Sequence, residues 1–324
     1  MNLRLKIYEL VATYRLDAAA TRRLQELAGL GDEPPGLPTR VARAVAVLAA
    51  ALGGFGVLLW VAANWESLGR LGRFALLQAF VVTMCAGAFW SLAARLPLAL
   101  LALLGIGGLL AFFGQTYQTG ADPWPLFAFW AALALPLCLA ARSDVLWLPW
   151  TLVTMTAIAL WAHAHTGHRW RVLPDDLLAH TLAWGAAVGV TVLLSPAARK
   201  LTGAGRPSMH GAVALATTMI TLNALGGLLS GDRVAVQYPL GLLVLSAAAA
   251  CFARRRSFDV FALSTLALGI DVLLIAGLGH RLLRNVHGEV GVLLIIGAAA
   301  ACLLAASVSA ILHLSKRYAG TGTA

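Results

Sequence analysis

Ten long apolar stretches run through this chain, and almost every Lys and Arg lies in the gaps between them. An α-helix rises 1.5 Å per residue, so about 20 apolar residues cross a hydrocarbon core roughly 30 Å thick. Residues 42–63, ARAVAVLAAALGGFGVLLWVAA, carry no charge after Arg43, and residues 291–314 carry none at all. Exposing such runs to water is costly, whereas in lipid a helix satisfies its own backbone hydrogen bonds. The expected fold is all-α: a polytopic transmembrane helix bundle occupying residues 41–324. The predicted spans are 42–63, 74–93, 98–114, 125–140, 144–163, 177–194, 209–229, 235–253, 258–279 and 291–314. The fourth is short and contains Pro136, which predicts a kinked or half-inserted helix.

Charge agrees with this reading. Charged residues make up 12% of the chain, against about 25% in soluble domains. The net charge of +10 would suggest nucleic acid in a soluble protein, but basic loops retained on the cytoplasmic side account for it here. The expected first partner is the lipid bilayer, with no nucleic acid. Cys85, Cys138, Cys251 and Cys302 each fall inside an apolar stretch without a CxxC pair, so they read as small helix-packing residues. The first 40 residues contain no compact apolar core ending in a small-residue cleavage site, so no secretory signal is expected.

Residues 1–40 differ from the rest. Leu3, Ile7, Leu10, Val11 and Tyr14 share one helical face, and Asp17 is placed to cap a second helix carrying Leu24, Leu27 and Leu30. Gly31 and Pro34-Pro35 end it. This predicts a short amphipathic helix pair on the cytoplasmic face. Such a pair can lie on lipid, dock on the bundle or bind a partner.

Counting basic residues on alternate sides of the spans gives orientation. With the N-terminus inside, 17 of the 24 lie on the cytoplasmic side and 7 opposite, so both termini are expected in the cytoplasm of a bacterial inner membrane. Two five-span halves would permit an inverted repeat, although no residue-level repeat relates them.

Polar side chains are sparse enough to examine singly. At the exit of the first span, Trp60, Asn64, Trp65 and Glu66 precede SLGRLGR. They read either as a boundary with aromatic anchors and a cap, or, with Arg70, as part of an external pocket. In the loop Gly114–Trp124, Phe112-Phe113 leads into Gln115, Tyr117, Gln118, Asp122 and Trp124. Gly114 and Gly120 would let backbone approach a ligand, while a folded periplasmic turn is the other reading. The first and third spans both run outward. Asn64, Trp65, Glu66, Gln115, Tyr117, Gln118, Asp122 and Trp124 are therefore expected to gather as one periplasmic polar cluster.

GGFGVLLWVAANWESLGRLGR and GQTYQTGADPWPLFAFWAALALPLCLAARSDVLWL resemble the bacterial membrane-protein family termed domain of unknown function 2157. The resemblance covers roughly residues 5–150, including the helix pair, with AANW and GQ-x-Y as its more specific motifs. It implies topology and no activity. It also implies a possible companion, a membrane protein carrying a GDYxxLxY motif.

Asp271 lies well inside the ninth span, where an ionised carboxylate costs about 3 kcal/mol unless paired, hydrated or protonated. It reads as a proton site facing a cavity, or as a structural group bonded to a neighbour such as Asn223 or His180. Asp259 lies near the cytoplasmic end behind Arg254-Arg255-Arg256, where a surface ion pair suffices. His163, His165 and His168 have histidine chemistry suited to zinc, but no adjoining ligand and no standard spacing, so a solvated loop is expected and no metal site. No hydrolase, Walker, zincin or dinucleotide pattern occurs in a supporting context, so neither enzyme activity nor a cofactor is expected. Two functions remain. One is a scaffold or subunit working with another membrane protein. The other is a secondary transporter of a small solute or lipid-like molecule, proton-coupled through Asp271.

Overall fold

The computed structural model describes residues 3–28, 37–64, 67, 69–117, 122–167, 171–230, 234–255, 257–285 and 289–320. The chain divides into two compact units, residues 1–49 and 50–324. In the first unit, α1 (Leu3–Tyr14) and α2 (Ala18–Leu27) form the expected helix pair. Asp17 caps α2: its Oδ1 accepts the Ala20 N–H at 2.7 Å, and its own backbone is extended. Ile7 is buried, but α2 buries none of its side chains and Leu27 is fully on the surface. Leu30, Gly31, Pro34 and Pro35 lie outside the described residues.

Helix α3 (Leu37–Ala63) begins in the first unit and ends in the second. There follow α4 (Arg70–Trp90), α5 (Arg95–Tyr117), α6 (Trp124–Ala141), α7 (Asp144–His165) and α8 (Leu177–Leu193). After a four-residue turn of helix, α9 (Arg199–Thr202), come α10 (Arg206–Leu229), α11 (Gln237–Phe252), α12 (Val260–Asn285) and α13 (Glu289–Gly320). Ten apolar helices thus occupy the ten expected places, and among the described residues none of the chain is strand. Among the described residues nine helices are long and apolar enough to cross a membrane, and this is a multi-pass membrane protein.

The fourth span, expected to be short and kinked or half-inserted, is the shortest of the nine candidate spans among the described residues: α6 runs 18 residues, about 27 Å, with Pro136 inside it. Helix α11 is shorter still, and its 16 residues reach about 24 Å. Near Pro136, Trp150 of α7 donates its indole N–H to Ala131 O at 2.8 Å and ties the two helices together.

In the second unit, consecutive helices from α4 to α8 pack against one another, and α10 packs against α7, α8, α11 and α12. Helix α10 can take this central place because it presents Ala212, Ala216, Ala224 and Gly227 at its contacts. Small residues let helices approach closely where lipid offers no hydrophobic drive to associate. One packed cluster centres on Leu103, Leu146, Trp147 and Trp150, and a second on Trp184, Ile220, Leu245 and Leu273.

An aromatic donor reaching a helical carbonyl recurs. Trp130 of α6 donates to Leu103 O of α5 at 2.8 Å, and Tyr238 of α11 donates to Leu273 O of α12 at 2.9 Å. In each case the residue one turn beyond the acceptor is glycine, Gly107 or Gly277. A Cβ at Gly107 would overlap the Trp130 indole, and one at Gly277 would overlap the Tyr238 hydroxyl. The missing side chain opens the gap through which the ring reaches an interhelical carbonyl, the kind of polar contact that fastens membrane helices.

Candidate functional site

Polar groups gather at both ends of the second unit. Where α6 ends and α7 begins, only Arg142 and Ser143 intervene. Arg142 adopts the left-handed conformation, φ 48°, so that its N–H closes α6 on Cys138 O at 2.9 Å. Asp144, in the first turn of α7, accepts from Gly205 N–H at 2.8 Å and from the Ser208 hydroxyl at 2.5 Å, and so caps α10 from another helix. Nearby, His210 Nε2 sits 3.0 Å from both carboxylate oxygens of Asp259, which also accepts the Ala262 N–H and caps α12. Asp259 therefore pairs with a histidine of α10. Burial pushes the Asp259 carboxyl up. The bonds from His210 and Ala262, with the charges of His210 and Arg206, outweigh that and hold it below the ordinary carboxylate value.

The opposite end holds most of the predicted polar cluster. Gln115 and Tyr117 are not in a loop, because α5 continues through Tyr117. Gln115 and Thr116 meet Arg70, Arg73 and Phe112 around a polar hollow of about 290 Å³. The Arg70 guanidinium lies 5.9 Å above the Tyr117 ring, and Phe74 packs between Phe112 and Tyr117 with centroids 4.5 and 6.1 Å away. Arg73 and Phe74 are the residues that sequence reasoning missed. Their signal was present: Arg70, Arg73 and Phe74 share the i, i+3, i+4 face that opens α4.

Phe113, which packs on Tyr117 at 4.8 Å, links this group to the hollow that Asp122 borders. Asn64 bonds its own helix, donating to Trp60 O at 3.0 Å, and its carbonyl accepts from the Ser67 hydroxyl. Asp122 borders an apolar hollow with Leu110, Phe113 and Phe129, and Trp124 meets the His165 ring edge-on at 6.1 Å. Trp65, Glu66 and Gln118 lie outside the described residues.

Asp271 is 4% exposed, inside the bundle on α12. Its partner is Ser307 of α13, whose hydroxyl lies 3.0 and 2.9 Å from the two carboxylate oxygens and donates between them. The expected partners Asn223 and His180 are elsewhere, on α10 and α8. The reason is the rotation of α12, which packs Leu266 and Leu273 into the core of the unit and presents Asp271 to α13. A lone hydroxyl pair, Ser307 and Ser309, within the Ala/Leu-rich last span was the available sequence signal.

Asn223 and His180 instead line a cavity of about 620 Å³ between α7, α8 and α10. His163, Thr166 and Arg171 complete its polar end. His180 is 5% exposed, and its Nδ1 has no hydrogen-bond partner; the Asp176 carboxylate, one turn earlier, acts on it electrostatically. His163 and His165 diverge, the former to the cavity and the latter to Trp161, on which it stacks at 4.4 Å. His168 lies outside the described residues.

Residues 8–147 match the family model described as "Predicted membrane protein (DUF2157)", which agrees with the resemblance over the N-terminal part of the chain. The matched region ends in the first turn of α7, so it contains the Arg70–Gln115 hollow, while α8 and α10 lie beyond it. No curated protein and no solved structure matches the chain.

Proposed function

We propose that this multi-pass membrane protein is a non-catalytic subunit or scaffold of the bacterial inner membrane, with both termini in the cytoplasm. It would work beside another membrane protein, with a GDYxxLxY-bearing companion as the first to test. One observation carries the reading. Asp271, a carboxylate within the apolar helices, is buried and has both oxygens within bonding distance of the half-buried Ser307 hydroxyl across α12 and α13. A carboxylate held this way fastens two helices, whereas a proton relay needs a hydrated route to it. Helix α13 also buries very little of its long apolar length, which leaves surface for lipid or a neighbouring subunit. The 17 to 7 distribution of basic residues supports the orientation.

Isolation of the tagged full chain from its native membranes in mild detergent tests this. A second membrane protein should co-purify in fixed ratio, and Asp271→Asn should lower thermal stability without changing that ratio. A chain that purifies alone and, in vesicles, takes up solute in response to a pH gradient would overturn it. Transport of a lipid-like molecule is the second reading, favoured by the cavity between α7, α8 and α10.

A further inference from the structure

The cavity between α7, α8 and α10 differs along its length. Its polar end holds His163, Thr166, Arg171, His180 and Asn223. Further along, Leu152, Leu160, Leu215 and Met219 make it apolar, and the Thr156 hydroxyl is bonded to Leu152 O. Leu152 and Leu222 are themselves more than half exposed, so the apolar part opens sideways, on the face of the helices that meets lipid.

Depth is informative. From His163 back to Leu152 the cavity follows about 16 Å of α7, and from Gly226 back to Leu215 it follows the same length of α10. One leaflet of a hydrocarbon core is about 15 Å thick, half of roughly 30 Å. The polar end therefore falls at the membrane boundary, beside the ends of α7 and α10 and the start of α8, and the apolar end near the midplane. A volume of about 620 Å³ lies within the range of small-molecule pockets, roughly 300–1,000 Å³.

The polar end selects for an anion. Arg171 supplies a permanent positive charge at the rim. His180 supplies a buried ring nitrogen without a partner, which burial penalises until a ligand bonds it. Two carboxylates are close. Asp175 is exposed, and Asp176 accepts the Leu173 N–H at 3.2 Å while its charge also acts on His180, where it favours the imidazolium that an anion would pair with.

We propose that this cavity is a binding site for an anionic membrane lipid. One acyl chain enters sideways from the bilayer between α7 and α10, and the headgroup phosphate is held by Arg171, His180 and His163. Such a site serves a scaffold as readily as a transporter, so it stands apart from the function proposed above.

The full chain, reconstituted in nanodiscs containing photoactivatable phosphatidylglycerol or phosphatidylcholine, provides the test. Label from the anionic lipid should concentrate on peptides covering 152–163 and 215–226, several-fold above the zwitterionic lipid. Arg171→Ala, on the rim, and His180→Gln should each reduce that label at least three-fold while label on α13 stays constant. Thr156→Phe, which plugs the apolar part, should abolish it. Should His180→Gln fail to fold, Arg171→Ala and Thr156→Phe still decide. Equal labelling by both lipids, or label spread evenly over all exposed helices, would overturn the proposal. So would labelling by a photoactivatable fatty acid with none by phosphatidylglycerol, which would make the ligand a free acid.

Discussion

The two ends of the unit formed by residues 50–324 use polar residues in opposite ways. At the end where α7 and α10 begin, Asp144 closes on Gly205 and Ser208, and Asp259 closes on His210 and Ala262. Each of these carboxylates caps a helix. At the other end Arg70, Arg73 and Gln115 surround a hollow, and His180 faces a cavity with one ring nitrogen unbonded. Carboxylates that bond backbone N–H groups hold helices in place. Cations and imidazoles around empty space are suited to hold something else. Stability should therefore reside at the first end and in the packed middle, and binding at the second.

The largest loss of stability is expected in the middle, where both ends are anchored. Gly107→Val would drive a branched side chain into the Trp130 indole and break its bond to Leu103 O. Overpacking of this kind costs about 3 kcal/mol, measured as thermal unfolding of the purified protein in detergent. Gly107→Val with an unchanged melting curve would show that the aromatic contact carries no weight.

Next in size is Asp144→Ala. It leaves the Gly205 N–H and the Ser208 hydroxyl without their acceptor, at about 2 kcal/mol. His180→Ala, at the open end, removes a group that has an unsatisfied nitrogen and should cost less than half as much. If the two losses are equal, the contrast between the ends is wrong.

Asp259 makes the contrast depend on pH. Its carboxyl is held below the ordinary value of 3.8 in the folded protein, so the folded state binds the proton less readily than the unfolded chain. That stabilisation is complete above the unfolded value and is lost as pH falls through the folded one. Wild type should exceed Asp259→Asn by about 1 kcal/mol at pH 6, and the difference should vanish as pH drops below about 3.8. A difference that persists in acid would mean the carboxylate charge is not what stabilises.

The smallest effect belongs to Arg70→Ala. An exposed cation over an aromatic ring contributes about 0.5 kcal/mol, so melting should scarcely move. A large loss would place Arg70 among the fastenings and would remove the polar hollow from the binding end.

The sequence alone determined the ten apolar helices, their order and the Asp17 cap, because these depend on hydrophobic length and on contacts within a few residues. Even the N-terminal pair was legible from periodicity, since one face of each helix is polar. The span helices are apolar all round, and such helices carry little record of which face meets a neighbour. Rotation about each axis is chosen by packing, through small residues on α10 and the glycines that admit Trp130 and Tyr238. That rotation turned Asp271 to Ser307, leaving His180 and Asn223 to line a cavity. It also turned Gln115 and Tyr117 toward α4. Local chemistry placed each helix along the chain, and contacts between residues far apart in sequence decided which polar groups meet.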